Sequence, residues 1–284
     1  MVRVFTGTSG FSFDEWRGHF YPTGLAPEAR LGYYASRLPC VEINNTFYQM
    51  PKRSLLERWR DTVPESFRFA LKAPRRLTHT QRLRAEGDTL GYFLDAAASL
   101  GPALGPVLFQ LPPFLRKDVP LLSDFLAKLP PSILAAFEFR HSSWFDDEVF
   151  ALLGSKNAAL CGGDSDEGGY APPQIATADF GYLRLRAPSY DATRLRDWSE
   201  RILAERWTNA YVFLKHEVLG PAYAGFVAAV VAGAAEPVLP SELDAQATSQ
   251  TTPVTLAKGS ARTRSAEARR AREHQSPRRR QAAR

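Results

Sequence analysis

The chain has 284 residues, 44% of them hydrophobic and 23% charged, with a formal net charge of +6. These are the fractions of an ordinary globular protein, and they exclude a wholly disordered, collagen-like or disulfide-rich secreted chain. The positive charge is confined to one end: residues 255–284 hold ten Lys or Arg against two Glu, which leaves 26 basic and 28 acidic side chains for everything before them.

In chain order, MVRVFTGTSG has no basic region followed by an apolar core, so no secretory signal is read there. Short apolar runs then alternate with longer amphipathic stretches. Strands are expected at Arg3–Thr6, Cys40–Asn44, Arg68–Lys72, Val107–Leu111, Ala135–Arg140, Ala158–Gly162, Gly181–Arg186 and Tyr211–Lys215. Helical segments such as PEARLGYYASRL, SLLERWRDTV, TLGYFLDAAASL and LLSDFLAKL lie between them. In RLRDWSERILAERW, Leu195, Trp198, Ile202 and Leu203 recur at helical spacing as a buried face. Eight strands, each followed by a helix or loop, predict an α/β fold: a single TIM-type (β/α)8 barrel over residues 1–235. A doubly wound open sheet is the rival, but no G-x-G-x-x-G follows the first strand.

Cys40 and Cys161 sit in apolar runs and read as small buried hydrophobes, not as a disulfide framework. AYAGFVAAVVAGAA is shorter than the ~20 residues a bilayer span needs. It reads as a buried helix of a cytoplasmic protein with no membrane partner. Residues 236–284 are rich in Pro, Ser, Thr and Ala and then in Arg, with few large apolar side chains, and read as a disordered basic tail.

Barrel enzymes carry their working groups at the C-terminal ends of strands. Those positions here are polar: Glu42, Asn44, Lys72, Gln110, Glu138, Arg140, Asp164, Arg184, Arg186 and Lys215. Alternation along a strand puts Glu42 with Asn44, Glu138 with Arg140, and Arg184 with Arg186, all toward the lumen, while Val41, Ile43, Phe137, Phe139, Leu183 and Leu185 face the helices. Glu42, Lys72, Glu138 and Arg140 are therefore expected to converge at one end. The bland alternative is a set of Glu–Arg plugs that only satisfy one another. Loss of activity without loss of folding in Glu138→Gln would favour a site over a plug. The loop from Lys72 to Arg84 carries Lys72, Arg75, Arg76, Arg82 and Arg84 with no acid, which suits phosphate or carboxylate. The first loop carries Phe11, Phe13, Trp16, Phe20 and Tyr21, rings that either stack on a ligand or anchor the loop as a satellite core. His79, His141 and His216 lack metal-ligand spacing, and neither a metal nor a cofactor is assigned.

The stretches GTSGFSFDEWRGHFYP, YYASRLPCVEINNTFYQMP, FALKAPRRLTHTQRL, LGPVLFQLPP and FEFRHSSWF together resemble the YecE-like family, also called domain of unknown function 72. The resemblance spans about Val4 to Ala235 and implies a TIM-type barrel without a defined activity. By matching motif it implies pocket roles for Glu42, Asn44, Tyr48, Lys72, His79, Arg82, Gln110, Glu138, Arg140, Trp144 and Arg184. This chain departs from the pattern at Arg186-Ala187, where many relatives have His-Gly, and at Lys215-His216-Glu217, where many have paired Asn. Both departures add charge to the expected mouth.

The expected function is binding, and processing if the protein is an enzyme, of a phosphate-bearing ligand: a nucleotide, a sugar phosphate or a nucleic-acid end. Glu42 and Glu138 would serve acid–base chemistry of a hydrolase or isomerase, with Arg140 and Lys72 stabilising negative charge. The alternative is a non-catalytic nucleic-acid-binding protein that uses the basic loop and tail.

Overall fold

Eight parallel strands close on themselves in chain order, β1 pairing with both β2 and β8. They are β1 (Arg3–Thr8), β2 (Cys40–Ile43), β3 (Arg68–Lys72), β4 (Leu104–Gln110), β5 (Ala135–Glu138), β6 (Ala159–Gly163), β7 (Phe180–Leu185) and β8 (Asn209–Leu214). The helices are α1 (Arg30–Ala35), α2 (Asn45–Tyr48), α3 (Arg53–Thr62), α4 (Thr89–Ala98), α5 (Val119–Ala127), α6 (Asp147–Ser155), α7 (Ala192–Ala204) and α8 (Gly220–Val231). This computed structural model describes residues 2–164, 172–234 and 237–240. The tail expected to be disordered lies almost wholly outside the described residues. Closure rules out the open doubly wound sheet.

Alternation along the strands divides the apolar residues between two cores. Val41, Ile43, Phe69, Leu71, Phe109, Phe137, Leu183, Leu185 and Val212 pack outward under the helices. Phe5, Cys40, Ala70, Leu108, Ala136, Cys161, Tyr182, Tyr211 and Phe213 fill the lumen, where Phe5 stacks on Tyr211 at 4.9 Å. The lumen is thus packed solid below its upper layer, as small barrels require. Both cysteines are free and buried there. Helices α5, α6 and α7 start at Asp118, Asp146 and Asp191, whose carboxylates accept backbone N–H groups of the first turn.

Several boundaries differ from those read in the sequence. β1 runs on to Thr8, and β4 starts three residues early at Leu104. β2, β5, β7 and β8 stop short of Asn44, Arg140, Arg186 and Lys215, which stand just beyond the strand ends. Leu203, expected on the buried face of α7, is 40% exposed, because the face is completed by Leu195, Trp198, Ser199 and Ile202. The aromatic first loop is a satellite core. Trp16 and Tyr21 are buried, Phe13 and Phe20 pack on Trp16 at 4.7 and 5.6 Å, and the Trp16 indole donates to the Glu217 carbonyl at 2.7 Å. The Ala-rich segment forms α8, which buries Tyr223, Ala224, Phe226 and Val227. Among the described residues no helix is long and apolar enough to cross a membrane.

Candidate functional site

The mouth at the C-terminal ends of the strands holds a cavity of about 580 Å³. Among the described residues its lining comes from seven of the eight strands or the loops that follow them: Ser9, then Asn44 with Phe47 and Tyr48, Lys72 with Arg75 and His79, Gln110, Arg140, Arg184 with Arg186, and Lys215. β6 ends in Gly163, at φ +130°, where a Cβ would lie 2.1 Å from the Arg184 carbonyl oxygen. Only glycine lets β7 come this close and carry Arg184 to the centre.

Arg184 is the keystone of the floor. Its Nη1 donates to Glu138 Oε2 at 2.6 Å and its Nη2 to Glu42 Oε1 at 2.9 Å. Glu42 is fully buried and also accepts from the Tyr182 hydroxyl at 2.7 Å and Asn44 Nδ2 at 3.1 Å. Glu138 accepts in addition from Gln110 Nε2 at 2.9 Å, Arg140 Nε at 3.0 Å and Arg186 Nη2 at 3.4 Å. Burial alone would raise the pKa of both carboxyls, but Arg184, with Tyr182 at Glu42 and with Arg186 and Arg140 at Glu138, holds both below the ordinary glutamate range. Both are therefore ionised counter-ions that orient guanidiniums. Nε of Arg184 and of Arg186 is buried with no hydrogen-bond partner, so each keeps an unused donor.

Lys72 is buried beneath Phe47, its Nζ 4.1 Å from the ring centroid. Phe47 is set there by its neighbour Thr46, whose hydroxyl reaches the carbonyls of Ile43 and Lys72 at 3.1 and 2.6 Å and ties α2 to two strands. Burial, then the charge of Arg184, lowers Lys72 to about 8 despite the pull of Glu42 and Glu138. His79 packs edge-on against Phe47 at 5.0 Å, its Nδ1 2.9 Å from the Thr78 hydroxyl. Burial and the charges of Lys72, Arg75 and Arg140 lower it to about 4, so its ring is neutral at pH 7.

Eleven of the fourteen residues read into the site from strand ends and motifs thus meet at the mouth, Glu42 and Glu138 as its floor and nine as its lining. Three, Trp144, Arg82 and Asp164, do not line it. Trp144 is fully buried, stacked on Phe139 at 4.6 Å with its indole donating to the Leu115 carbonyl at 2.8 Å, and serves the outer core. Arg82 is exposed with φ +48° and lies over the Phe114 ring, 5.3 Å from its centroid. The backbone is left-handed at Arg82, Leu83 and Ala85, and Arg82 does not line the cavity. Ser9, Phe47 and Tyr182 were missed. Tyr182 lies two residues before Arg184 on one strand, a spacing that points both side chains into the lumen. Asp164 is taken up just past the C-terminal end of β7, accepting from the Arg186 and Ala187 N–H groups and the Tyr190 hydroxyl. His216 Nδ1 accepts the Val218 and Leu219 N–H groups. Among the described residues no three His, Cys, Asp or Glu side chains gather as a metal cluster.

Comparison with known proteins gives these features a setting. The family described as "Protein of unknown function DUF72" matches residues 5–246. UPF0759 protein YecE of Escherichia coli K12 is 36% identical over 113 residues, 39% of this chain and 42% of that protein. UPF0759 protein YunF of Bacillus subtilis 168 is 32% identical over 157 residues, 52% of this chain and 54% of that protein. The matched stretches thus span about half of these relatives or less. A DUF72 family protein of Thermotoga maritima MSB8 superposes with a TM-score of 0.63 at 26% identity, covering 82% of this chain and 97% of that one. One from Enterococcus faecalis V583 gives 0.67 at 20% identity, covering 85% and 99%, a likeness of fold alone. With the family match running through the whole barrel, this chain belongs to the DUF72 family.

Proposed function

We propose that the barrel mouth binds a phosphate-bearing ligand. One observation carries this reading: among the described residues Lys72, Arg75, Arg140, Arg184, Arg186 and Lys215 line the cavity, no carboxylate does, and the two glutamates beneath are already committed. Six cations set over two buried carboxylates leave a positive concavity in a low-dielectric wall, which concentrates anions and offers preorganised donors. If a proton moves during turnover, Lys72 or His79 carries it, because the glutamates are held in their ionised form by their guanidiniums. Two buried free thiols support a cytoplasmic setting.

Calorimetric titration of the full chain with pyrophosphate tests the proposal. An anion favours the charged amine, so affinity should be full below the free Lys72 value and fall as pH rises through about 8. Lys72→Met should bind roughly tenfold more weakly, the worth of one charge-assisted hydrogen bond, and lose that inflection. No binding by the wild type, or identical pH profiles for the two proteins, would remove the mouth as an anion site.

A further inference from the structure

A larger cavity of about 1080 Å³ lies against the outside of the mouth, between α2, the turn at Arg76–Thr80 and α4. Phe47, Tyr48 and Arg75 line both cavities, so one wall is shared. The outer cavity gathers side chains that a barrel would otherwise bury. Seven large hydrophobics are exposed among the described residues, and three of them, Tyr48 at 80%, Tyr92 at 64% and Met50 at 37%, line it. Tyr92 is not part of the buried face of α4, which is made by Leu90, Phe93, Ala96 and Ala97. Three guanidiniums, Arg53, Arg75 and Arg76, line the same space against one acid, Asp95.

Exposed rings interleaved with guanidiniums match the faces of nucleobases and the phosphates between them. A small phosphate alone would leave the rings without a role, and an apolar partner would leave the three guanidiniums desolvated and unpaired. We infer that the two cavities together receive the end of a single-stranded oligonucleotide, with its terminal phosphate in the mouth and the adjoining bases stacked on Tyr48 and Tyr92. This rests on the anion-binding reading of the mouth and names its ligand class. No strand can thread the barrel, because Tyr182 and Phe213 fill the lumen below the floor. A terminal phosphate is also close to a dianion at pH 7 and matches the crowded cations better than a singly charged internal diester does.

The experiment compares three probes on the full chain at 200 mM salt: pyrophosphate, hexathymidylate with a terminal phosphate on either end, and the same oligomer without one. The phosphorylated oligomer should bind at least tenfold tighter than either other probe. Tyr92→Ala should lower its affinity about tenfold, the loss of one base–aromatic stack, and leave pyrophosphate unchanged. Tyr92→Phe, which keeps the ring, should restore it. Every comparison between variants holds the basic tail constant. Equal binding of pyrophosphate and phosphorylated oligomer, or an unchanged affinity in Tyr92→Ala, overturns the outer cavity as a base site while the mouth reading survives. Failure of pyrophosphate to bind as well overturns both.

Discussion

At the scale of single residues, Arg184 and Glu138 show how a binding surface is held in place from below. Replacing one member of a buried ion-paired cluster costs about 3–5 kcal/mol, because the remaining charges stay buried without compensation. Glu138→Gln would leave the Arg184, Arg140 and Arg186 side chains facing one another across a neutral amide. The expectation is therefore a large fall in the urea midpoint, and a variant that melts like wild type would show that the cluster relaxes at little cost. The pH dependence has a definite sign. A carboxyl depressed in the folded state stabilises fully above its ordinary value of 4.5, and that contribution drains away as pH falls from there through the depressed value. Wild type should lose stability faster than Glu138→Gln on acidification below pH 4.5. The sequence test that set activity against folding at Glu138 becomes less clean for this reason, since one carboxylate both shapes the mouth and holds the barrel. Period-two spacing made Glu42, Glu138 and Arg184 legible, because charged residues alternating with outward apolar ones have only the lumen to enter. Trp144 was misread because its motif adjoins a strand end, whereas its stacking on Phe139 depends on a backbone turn that spacing does not encode.

At the scale of elements, the seam between β1 and β2, beside Tyr34, is as sparsely paired as that between β5 and β6. Only Gly7 with Cys40 and Thr8 with Val41 are paired. Tyr34 of α1 is fully buried, and its hydroxyl takes the Thr8 N–H at 2.9 Å and donates to the Cys40 carbonyl at 2.9 Å, a helix side chain doing the work of a missing ladder bond. Tyr34→Phe keeps the packing and orphans both backbone groups, so it should destabilise by about 1–3 kcal/mol in equilibrium unfolding. A loss below a few tenths of a kcal/mol would mean that the seam closes without it. Strand cores were readable from apolar runs, but their ends were not, because Asn44, Arg140, Arg186 and Lys215 leave the ladder to reach the cavity. Arg82 was placed in the mouth on its motif, whereas the helical turn at Arg76–Thr80 and the left-handed residues after it, which follow no hydrophobic period, set it over Phe114.

At the scale of the whole molecule, charge is partitioned along the chain. The last thirty residues hold ten cations against two acids. Deleting residues 252–284 should leave the melting temperature of the barrel unchanged. It should also flatten the salt dependence of non-specific nucleic-acid binding. With about half of the ten cations engaged, the full chain should show a log–log slope of roughly −3 to −5, by the rule of about −0.7 to −0.9 per phosphate contact. Equal slopes for the full and truncated chains would assign the binding to the barrel alone.

The uneven pairing of β1 also bears on how the chain is made. β1 is held to β2 at two positions but to β8 along its whole length, from Arg3 opposite Asn209 to Thr8 opposite Leu214. On the ribosome the first strand to emerge must therefore wait for the last before it finds most of its partners. Until β8 is released, Arg3–Thr6 have no strand partner and Lys215 has not been made, while Gly7 and Thr8 are already tied to β2, so the cations of β3, β5 and β7 assemble before the last side of their cavity. A nascent chain arrested before residue 209 would be an open crescent, with charge already in position and no vessel to contain it.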